Sequence, residues 1–243
     1  MDKTKISTGS FDLNKWLEDG YETDIITMIA GPPGCGKTNF AILASCSQAQ
    51  KGNKVIFIDT EGGFSVERVK QVTGDKAESI LENILLLEPT SFEEQKKSFT
   101  KLLEKVKAGH VNLIVIDGMA MLYRLELGDA VKTGQEEKIK EVNREIAKQM
   151  RALAEIARKQ KIPIIITNQV YSQFLTDEDW KNKKEPETNI VGGDLFKYWS
   201  KCIIELKNNH NKRKAILLKH RSIPEKEFSF EIKDKGIFKK GWI

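Results

Sequence analysis

The sequence has 243 residues, of which 40% are hydrophobic and 31% charged, so it can bury one core beneath a charged surface and is not a disordered chain. Residues 1–16 contain no apolar leader, and no stretch approaches the ~18 uncharged residues of a membrane span, so we expect a cytoplasmic protein without membrane contact. The three cysteines and three histidines show no metal-binding or disulfide spacing.

Positive charge is concentrated near the C-terminal end of the chain. The net charge is +5, and residues 201–243 hold 12 lysines and arginines against 5 acidic residues. A basic segment on a slightly acidic body is typical of a face that contacts nucleic acid or an anionic subunit interface. A solvated lysine-rich surface is equally consistent with these counts.

Apolar runs rich in Val, Ile and Leu alternate with helical segments along the first 170 residues. In chain order, the predicted strands are residues 24–30, 54–59, 83–87, 112–117 and 164–168. This alternation predicts βαβ units, and uninterrupted apolar runs are expected of parallel strands buried on both faces. Residues 135–159 place apolar side chains at three- and four-residue steps, which predicts an amphipathic helix packed on the core.

The pattern changes after residue 169. Residues 171–192 predict a polar loop, and short alternating runs at 199–206, 214–219 and 227–232 are typical of antiparallel edge strands. The sequence therefore predicts an α/β fold with a mainly parallel central sheet, helices on both faces and C-terminal antiparallel edge strands. We expect a single domain, residues 1–243, with a short lead-in at residues 1–22.

A phosphate-binding loop follows the first of these strands and precedes a predicted helix. Its residues are, in order, Gly31, Pro32, Pro33, Gly34, Cys35, Gly36, Lys37 and Thr38. The glycines let the backbone curl so that successive N–H groups point at phosphate oxygens, while Lys37 reaches the β- and γ-phosphates and Thr38 offers a hydroxyl to Mg²⁺. The loop predicts a protein that binds ATP and Mg²⁺. Cys35 either fills a small-residue position or carries a thiol whose pKa is lowered by the helix N-terminus and Lys37.

Acidic and amide side chains follow three other predicted strands. Asp117 ends the 112–117 strand, at the sheet edge where ligands bind, and suits a Walker B aspartate that holds Mg²⁺. Asp59 and Glu61 follow another strand, and either carboxylate suits activation of the attacking water; the residues alone do not choose between them. Gln169 follows a third strand, where an amide can sense the γ-phosphate, although an ordinary polar strand end has the same pattern.

Two basic residues, Lys219 and Arg221, follow the predicted strand 214–218. Strand alternation places both side chains on the same face, with His220 opposite. Neighbouring cations repel each other unless an anion is close, and the γ-phosphate of a nucleotide in another subunit supplies one to an arginine finger. The alternative is a solvated basic strand end.

The predicted loop 171–192 combines aromatic residues with charges of both signs. Its aromatic residues and lysines include Tyr171, Phe174, Trp180, Lys181, Lys183 and Lys184. Aromatic rings beside lysines suit stacking of single-stranded bases, but the five acidic residues in the same loop repel phosphates. Contact of this loop with DNA therefore remains open.

Several stretches resemble the RecA/RadA recombinases. Residues 60–68, TEGGFSVER, resemble their glutamate-bearing segment, and residues 167–170, TNQV, resemble their sensor strand. Gly192 and Gly193 with Trp199 resemble the segment that follows their second DNA-binding loop. The length of the chain and residues 219–225, KHRSIPE, are similar to the short archaeal paralogues of RadA.

This resemblance implies a RecA-like P-loop ATPase core that acts in homologous recombination and DNA repair. It implies single-stranded DNA and a RadA-type recombinase as partners, and self-association across the ATP site. It gives Glu61 the position of the catalytic glutamate and Gln169 that of the γ-phosphate sensor. Lys219 and Arg221 resemble paired basic residues that reach a neighbour's γ-phosphate.

The same resemblance leaves the rate of hydrolysis open. About 30 residues precede the P-loop, so we expect no counterpart of the N-terminal DNA-binding domain of full-length RadA. We expect slow hydrolysis that acts as a conformational timer. The alternatives are a nucleotide-switched adaptor with negligible hydrolysis and a KaiC-like signalling ATPase with the same core.

Overall fold

The computed structural model describes residues 4–172, 188–209 and 212–241. The strands in these ranges are β1 (Lys5–Ile6), β2 (Tyr21–Glu22), β3 (Ile26–Gly31), β4 (Lys54–Asp59), β5 (Ile84–Leu87), β6 (Val111–Asp117), β7 (Ile164–Ser172), β8 (Thr188–Ile190), β9 (Ser200–Asn209), β10 (Lys212–Lys219), β11 (Lys226–Lys233) and β12 (Gly236–Lys239). The helices are α1 (Phe11–Trp16), α2 (Lys37–Ala49), α3 (Val66–Thr73), α4 (Ala77–Leu81), α5 (Phe92–Ala108), α6 (Met121–Lys132), α7 (Glu136–Gln160) and α8 (Asp194–Trp199). No helix in the described ranges is both long enough and apolar enough to cross a membrane.

The large sheet has the strand order β12-β11-β10-β9-β3-β7-β6-β4-β5, with β8 paired to β7. Strands β9, β3, β7, β6, β4 and β5 are parallel to one another along this path, whereas the pairs β9–β10, β10–β11 and β11–β12 are antiparallel. The predicted α/β fold with a mainly parallel sheet and C-terminal antiparallel strands is confirmed.

One C-terminal strand differs from its prediction. The run at 199–206 was expected to be an antiparallel edge strand, but β9 pairs in parallel with β3 and lies inside the sheet. The physical reason is its burial: Cys202 through Leu206 are all buried, as a strand covered on both faces requires. The antiparallel strands therefore begin only at β10.

Helices cover both faces of the sheet. Because side chains alternate along a strand, Phe57 of β4 joins the hydrophobic cluster beneath α2, and its neighbours Ile56 and Ile58 join the cluster beneath α7. The predicted amphipathic helix is confirmed as α7, whose buried residues Val142, Ile146, Met150, Leu153 and Ile156 face that second cluster. The central strands are therefore buried between two hydrophobic layers.

The lead-in before β3 packs against the last strands of the chain. Ser10 caps α1 and its hydroxyl also donates to the carbonyl of Ile237 at 2.6 Å. The carboxylate of Asp12 accepts from the backbone N–H of Lys239 at 2.8 Å. These contacts join residues more than 200 positions apart and cover the β12 side of the sheet.

The parallel strands end together at one edge of the sheet. The register places Asp59 of β4 opposite Asp117 of β6, and Gly31 of β3 opposite Gln169 of β7. Both ends of the predicted loop 171–192 differ from the prediction: Tyr171 belongs to β7, and residues 188–190 form β8. The residues from Phe174 to Lys184 that suggested a DNA contact lie outside the described residues.

Candidate nucleotide site

The backbone of the loop between β3 and α2 curls into a concave cradle that suits an anion. Gly34 and Gly36 adopt φ angles of +73° and +111°, which side-chain-bearing residues rarely adopt. The ammonium group of Lys37 folds back over the loop and donates to the carbonyls of Gly31 at 2.9 Å and Pro32 at 3.1 Å. Because the 13-residue helix α2 begins at Lys37, its free N–H groups and its positive dipole end point into the same cradle.

A hydroxyl and a buried carboxylate meet beside this loop. Thr38 Oγ1 donates to Asp117 Oδ2 at 2.6 Å, and Thr167 donates to the other oxygen of Asp117. Burial raises the pKa of Asp117, and the nearby carboxylates of Glu61 and Asp59 act in the same direction, against the two hydroxyl donors. Hard oxygen atoms at a site with excess negative charge suit Mg²⁺.

The space in front of this pair is kept open by glycine. A Cβ added to Gly63 would lie 3.2 Å from Thr38 Oγ1 and 3.5 Å from Asp117 Oδ2. A cavity of about 430 Å³ begins here, lined by Pro33, Gly34, Gly36, Lys37, Thr38, Asn39, Glu61, Gln169, Arg213 and Ile232. That volume lies in the ~300–1,000 Å³ range of small-molecule pockets, so the residues present can accommodate a nucleotide with its metal ion.

The structure separates the two carboxylates that follow β4. Asp59 is 2% exposed and accepts from the backbone N–H groups of Glu61, Gly62 and Phe64 at 3.0, 2.9 and 2.7 Å. Its oxygens therefore brace the loop that follows the strand. Glu61 is exposed at the cavity and accepts from the amide of Gln169 at 3.2 Å. Of these two carboxylates, that of Glu61 is the one that lines the cavity.

The amide pair at residues 168 and 169 has divided roles. Gln169 lines the cavity beside Glu61. Asn168 is 1% exposed and donates through Nδ2 to the carbonyl of Val191 at 2.8 Å. Strand β7 thus connects the cavity to the segment around Val191.

Comparisons with known proteins decide the family. The chain matches the family model described as Rad51 over residues 2–240. The DNA repair and recombination protein RadB of Methanobrevibacter smithii is 40% identical over 241 residues, which cover 97% of this chain and 96% of that protein. The RadB proteins of Methanococcus maripaludis (strain C7) and Methanocaldococcus jannaschii are 41% and 39% identical, over 93% of this chain and 96% and 98% of their own lengths.

The chain belongs to the Rad51 family. The predicted RecA-like fold is confirmed by this match. The predicted likeness to short archaeal RadA paralogues is confirmed as well, since relatives of similar length that bear the name RadB match almost end to end.

In this Rad51-family chain, Arg221 lies in an ion-pair cluster of its own subunit. Its guanidinium donates to both carboxylate oxygens of Asp24, at 2.6 and 3.0 Å, and to Glu22 at 3.1 Å. Hydrogen bonds from Arg221 lower the pKa of Asp24, and the pKa of Arg221 is raised in turn. The anion that Arg221 requires is supplied locally by these two carboxylates.

The predicted placement of the basic pair on one strand face is wrong. Strand β10 ends at Lys219, so strand alternation does not place Arg221. Lys219 donates to the carbonyl of Lys197 at 2.8 Å, and burial together with the charge of Lys201 lowers its pKa. The two side chains therefore have separate partners.

Arg221 also lies away from the phosphate loop of its own chain, whereas Lys219 is level with Met28 in the middle of β3, through Ile203 of β9. Glu22 and Asp24, which hold Arg221, precede β3, whereas the phosphate loop follows that strand. Six residues of strand span about 20 Å. Arg221 is therefore too far from the phosphate loop of its own chain to contact a nucleotide held there.

Cys35 is a packing residue of the loop. It is fully buried, and a Cβ at Gly31 would lie 2.7 Å from its sulfur. Burial raises the pKa of the thiol, and this effect outweighs the opposing influence of Lys37. The alternative of an activated thiol is therefore wrong, and the small-residue interpretation agrees with the structure.

We expect the folded Rad51-family chain to be unreactive toward thiol reagents. All three cysteines are buried, and burial raises the pKa of both Cys46 and Cys202 to about 12. A colorimetric disulfide reagent should therefore detect no rapidly reacting thiol in the native protein at neutral pH. After denaturation it should detect three thiols per chain. Rapid labelling of the native protein that peptide mapping assigns to Cys35 would contradict this assignment.

Three residues that line the cavity were not predicted from the sequence: Asn39, which directly follows the phosphate loop, and two residues of the C-terminal strands. Arg213 and Ile232 belong to β10 and β11, which follow the phosphate loop by about 180 and 200 residues. The only signal in the sequence was the general excess of positive charge after residue 200, which does not single out one arginine.

Proposed function

We propose that this chain is a Mg²⁺-dependent ATPase that acts in recombination and DNA repair. The observation that carries this proposal is the convergence of Lys37, the Thr38–Asp117 pair and the Glu61–Gln169 pair around one cavity. The relatives named DNA repair and recombination protein RadB support the recombination role. A cytoplasmic location is part of the same proposal.

Phosphate binding comes from the loop and its lysine. The loop N–H groups and the N-terminus of α2 receive the phosphate oxygens, and Lys37 exchanges its carbonyl partners on Gly31 and Pro32 for the β- and γ-phosphates. Thr38 and Asp117 would hold Mg²⁺ through their oxygens. When bound, the metal neutralises the charge that builds up on the phosphate oxygens during transfer.

Proton transfer is assigned to Glu61. Its carboxylate takes a proton from the water molecule that attacks the γ-phosphate. The Gln169 amide donates to Glu61 and so fixes the orientation of the carboxylate. Because Gln169 also ends the parallel part of β7, a change at the γ-phosphate is transmitted to the strand that leads toward residues 173–187.

Single-turnover hydrolysis of MgATP, with and without single-stranded DNA, tests the proposal. We expect slow turnover that DNA or a RadA-type recombinase accelerates. ATP binding without any hydrolysis under all these conditions would favour the nucleotide-switched adaptor. Stable hexamers in the absence of DNA would favour a KaiC-like ATPase. Failure to bind MgATP would overturn the proposal.

Binding to single-stranded DNA is proposed to be weak. In the basic C-terminal region, lysines at 207, 214, 226 and 233 lie 2.8–3.6 Å from carboxylate oxygens, so part of the positive charge is compensated locally. This compensation is the reason for expecting weak binding. The affinity for single-stranded DNA should also fall steeply as the salt concentration rises, because the attraction is electrostatic and not base-specific.

Self-association across the ATP site is proposed from the position of Arg221. Arg221→Ala should leave the ATP affinity of dilute protein unchanged and should lower hydrolysis at high protein concentration, where a neighbour completes the site. The change should also reduce the free energy of unfolding by about 1–3 kcal/mol, because the buried carboxylate of Glu22 loses its cation.

Asp24→Asn is the matched control for that experiment. It weakens the same ion-pair cluster but keeps the guanidinium, so it should reproduce only the loss of stability. Hydrolysis per subunit that does not depend on protein concentration, with equal rates in the parent and Arg221→Ala, would exclude a role between subunits.

A further inference from the structure

Arg213 reaches the phosphate loop from the antiparallel half of the sheet. It pairs with Asn208 of β9 and with Phe230 of β11. On β9, Glu205 is the register partner of Ala30, the residue just before the last position of β3. Asn208 and its partner Arg213 therefore lie beyond the end of β3, at the level of the phosphate loop.

The side chains beside Arg213 belong to the nucleotide cavity. Arg213 and Ile232 line the cavity together with Pro33, Gly34 and Gly36 of the loop. A Cβ on Gly36 would lie 2.6 Å from Ile232 Cδ1, so these C-terminal strands touch the loop directly. The cavity contains the cations Lys37 and Arg213 and one acidic side chain, Glu61, so its charge favours an anion.

One donor atom of Arg213 lacks a partner in the part of the chain that the structure describes. Its Nε atom is buried and has no hydrogen-bond acceptor among the described residues. The next residue, Lys214, in contrast donates to Glu227 at 2.8 Å. A buried N–H without an acceptor is unfavourable, and such a group in a native structure calls for a missing ligand or water molecule. A guanidinium is a planar set of donors that matches phosphate oxygens.

We propose that Arg213 is a nucleotide-binding residue, a cation from the same chain that contacts the phosphate groups of the bound nucleotide. The proposal rests on the proposed function, because it assumes that a nucleoside di- or triphosphate occupies the cavity. It adds a second cation to Lys37 and joins the C-terminal strands to nucleotide binding. It also differs from the role of Arg221, which requires a second subunit.

Equilibrium titration of dilute protein with MgADP and MgATP tests this contact. Arg213→Ala should bind both nucleotides about 10- to 100-fold more weakly, because a charge-assisted hydrogen bond to phosphate is lost. Arg213→Lys should recover part of the affinity. The matched control is Lys214→Ala, the adjacent lysine that is exposed and paired with Glu227, and it should bind like the parent.

Thermal unfolding supplies a second readout that does not depend on hydrolysis. Without nucleotide, Arg213→Ala should unfold at the temperature of the parent, because Nε has no partner to lose. With nucleotide, the stabilising shift seen in the parent should be much smaller in the variant. If Arg213→Ala fails to fold, Arg213→Gln keeps a polar side chain of similar length for the same titration.

The outcomes separate this inference from the proposed function. The Arg213 contact is overturned if Arg213→Ala binds nucleotide within about twofold of the parent while Lys37→Ala is impaired. That result leaves the proposed ATP site intact. Weaker binding by Arg213→Ala and Lys214→Ala alike shows a general charge effect and also overturns it. Parent protein that binds neither nucleotide overturns both proposals.

Discussion

Replacing Lys37 with alanine is expected to weaken MgATP binding by at least about 100-fold, the largest effect on affinity that we expect of a single substitution. The change removes the ammonium group that lies over the phosphate loop, where it donates to the carbonyls of Gly31 and Pro32. With nucleotide bound, those donors serve the β- and γ-phosphates, and no other lysine of the described residues lines the cavity.

The fold should survive this substitution. Lys37 is the first residue of α2, and alanine is a good helix former. Circular dichroism and thermal unfolding without nucleotide should therefore resemble those of the parent. Lys51→Ala is the matched control, because Lys51 is an exposed lysine just beyond the other end of the same helix. Undiminished ATP affinity of Lys37→Ala in an equilibrium titration would overturn the P-loop assignment.

Replacing Glu61 with glutamine is expected to leave ATP binding intact and to reduce hydrolysis by about 10²- to 10⁴-fold. The amide preserves the shape of the side chain, and its oxygen can still accept from Gln169. It cannot take a proton from the attacking water. Single-turnover hydrolysis at saturating MgATP, with affinity measured separately, isolates this loss.

Asp59→Asn is the informative comparison because it removes the neighbouring carboxylate. Asparagine cannot replace both carboxylate oxygens as acceptors for the N–H groups of Glu61, Gly62 and Phe64, so this variant should lose about 2–4 kcal/mol of unfolding free energy. Its rate should fall less than that of Glu61→Gln, through displacement of the loop. If a stably folded Asp59→Asn protein alone loses turnover, the roles of the two carboxylates are reversed.

Much of the fold and part of the site could be predicted from the sequence, because their signals are local. The first five large-sheet strands were predicted to within a few residues except at the end of β7, and α7 was predicted to within one residue. Each depends on side-chain periodicity over fewer than ten residues or on one amphipathic stripe. The phosphate loop is a contiguous motif, and Asp117 follows an uninterrupted apolar run that must end at the ligand-binding edge.

Contacts between distant parts of the chain were decided only by the tertiary structure. Asp59 and Glu61 have the same chemistry, and their roles separate only because one carboxylate turns back to three loop N–H groups and the other meets Gln169, 108 residues away. Arg221 meets Glu22 and Asp24 nearly 200 residues upstream, and Arg213 approaches a loop about 180 residues before it.

The position of β9 shows the same limit. A short apolar run does not determine whether the neighbouring strands are parallel or antiparallel. In β9 the pairing follows from its burial between β3 and β10. Local periodicity determines which face of an element is apolar, whereas strand order and register determine which distant side chains share a cavity. The sequence by itself therefore determined the phosphate loop and most of the layers of this protein, and only the packed sheet decided which carboxylate and which arginine line the cavity beside that loop.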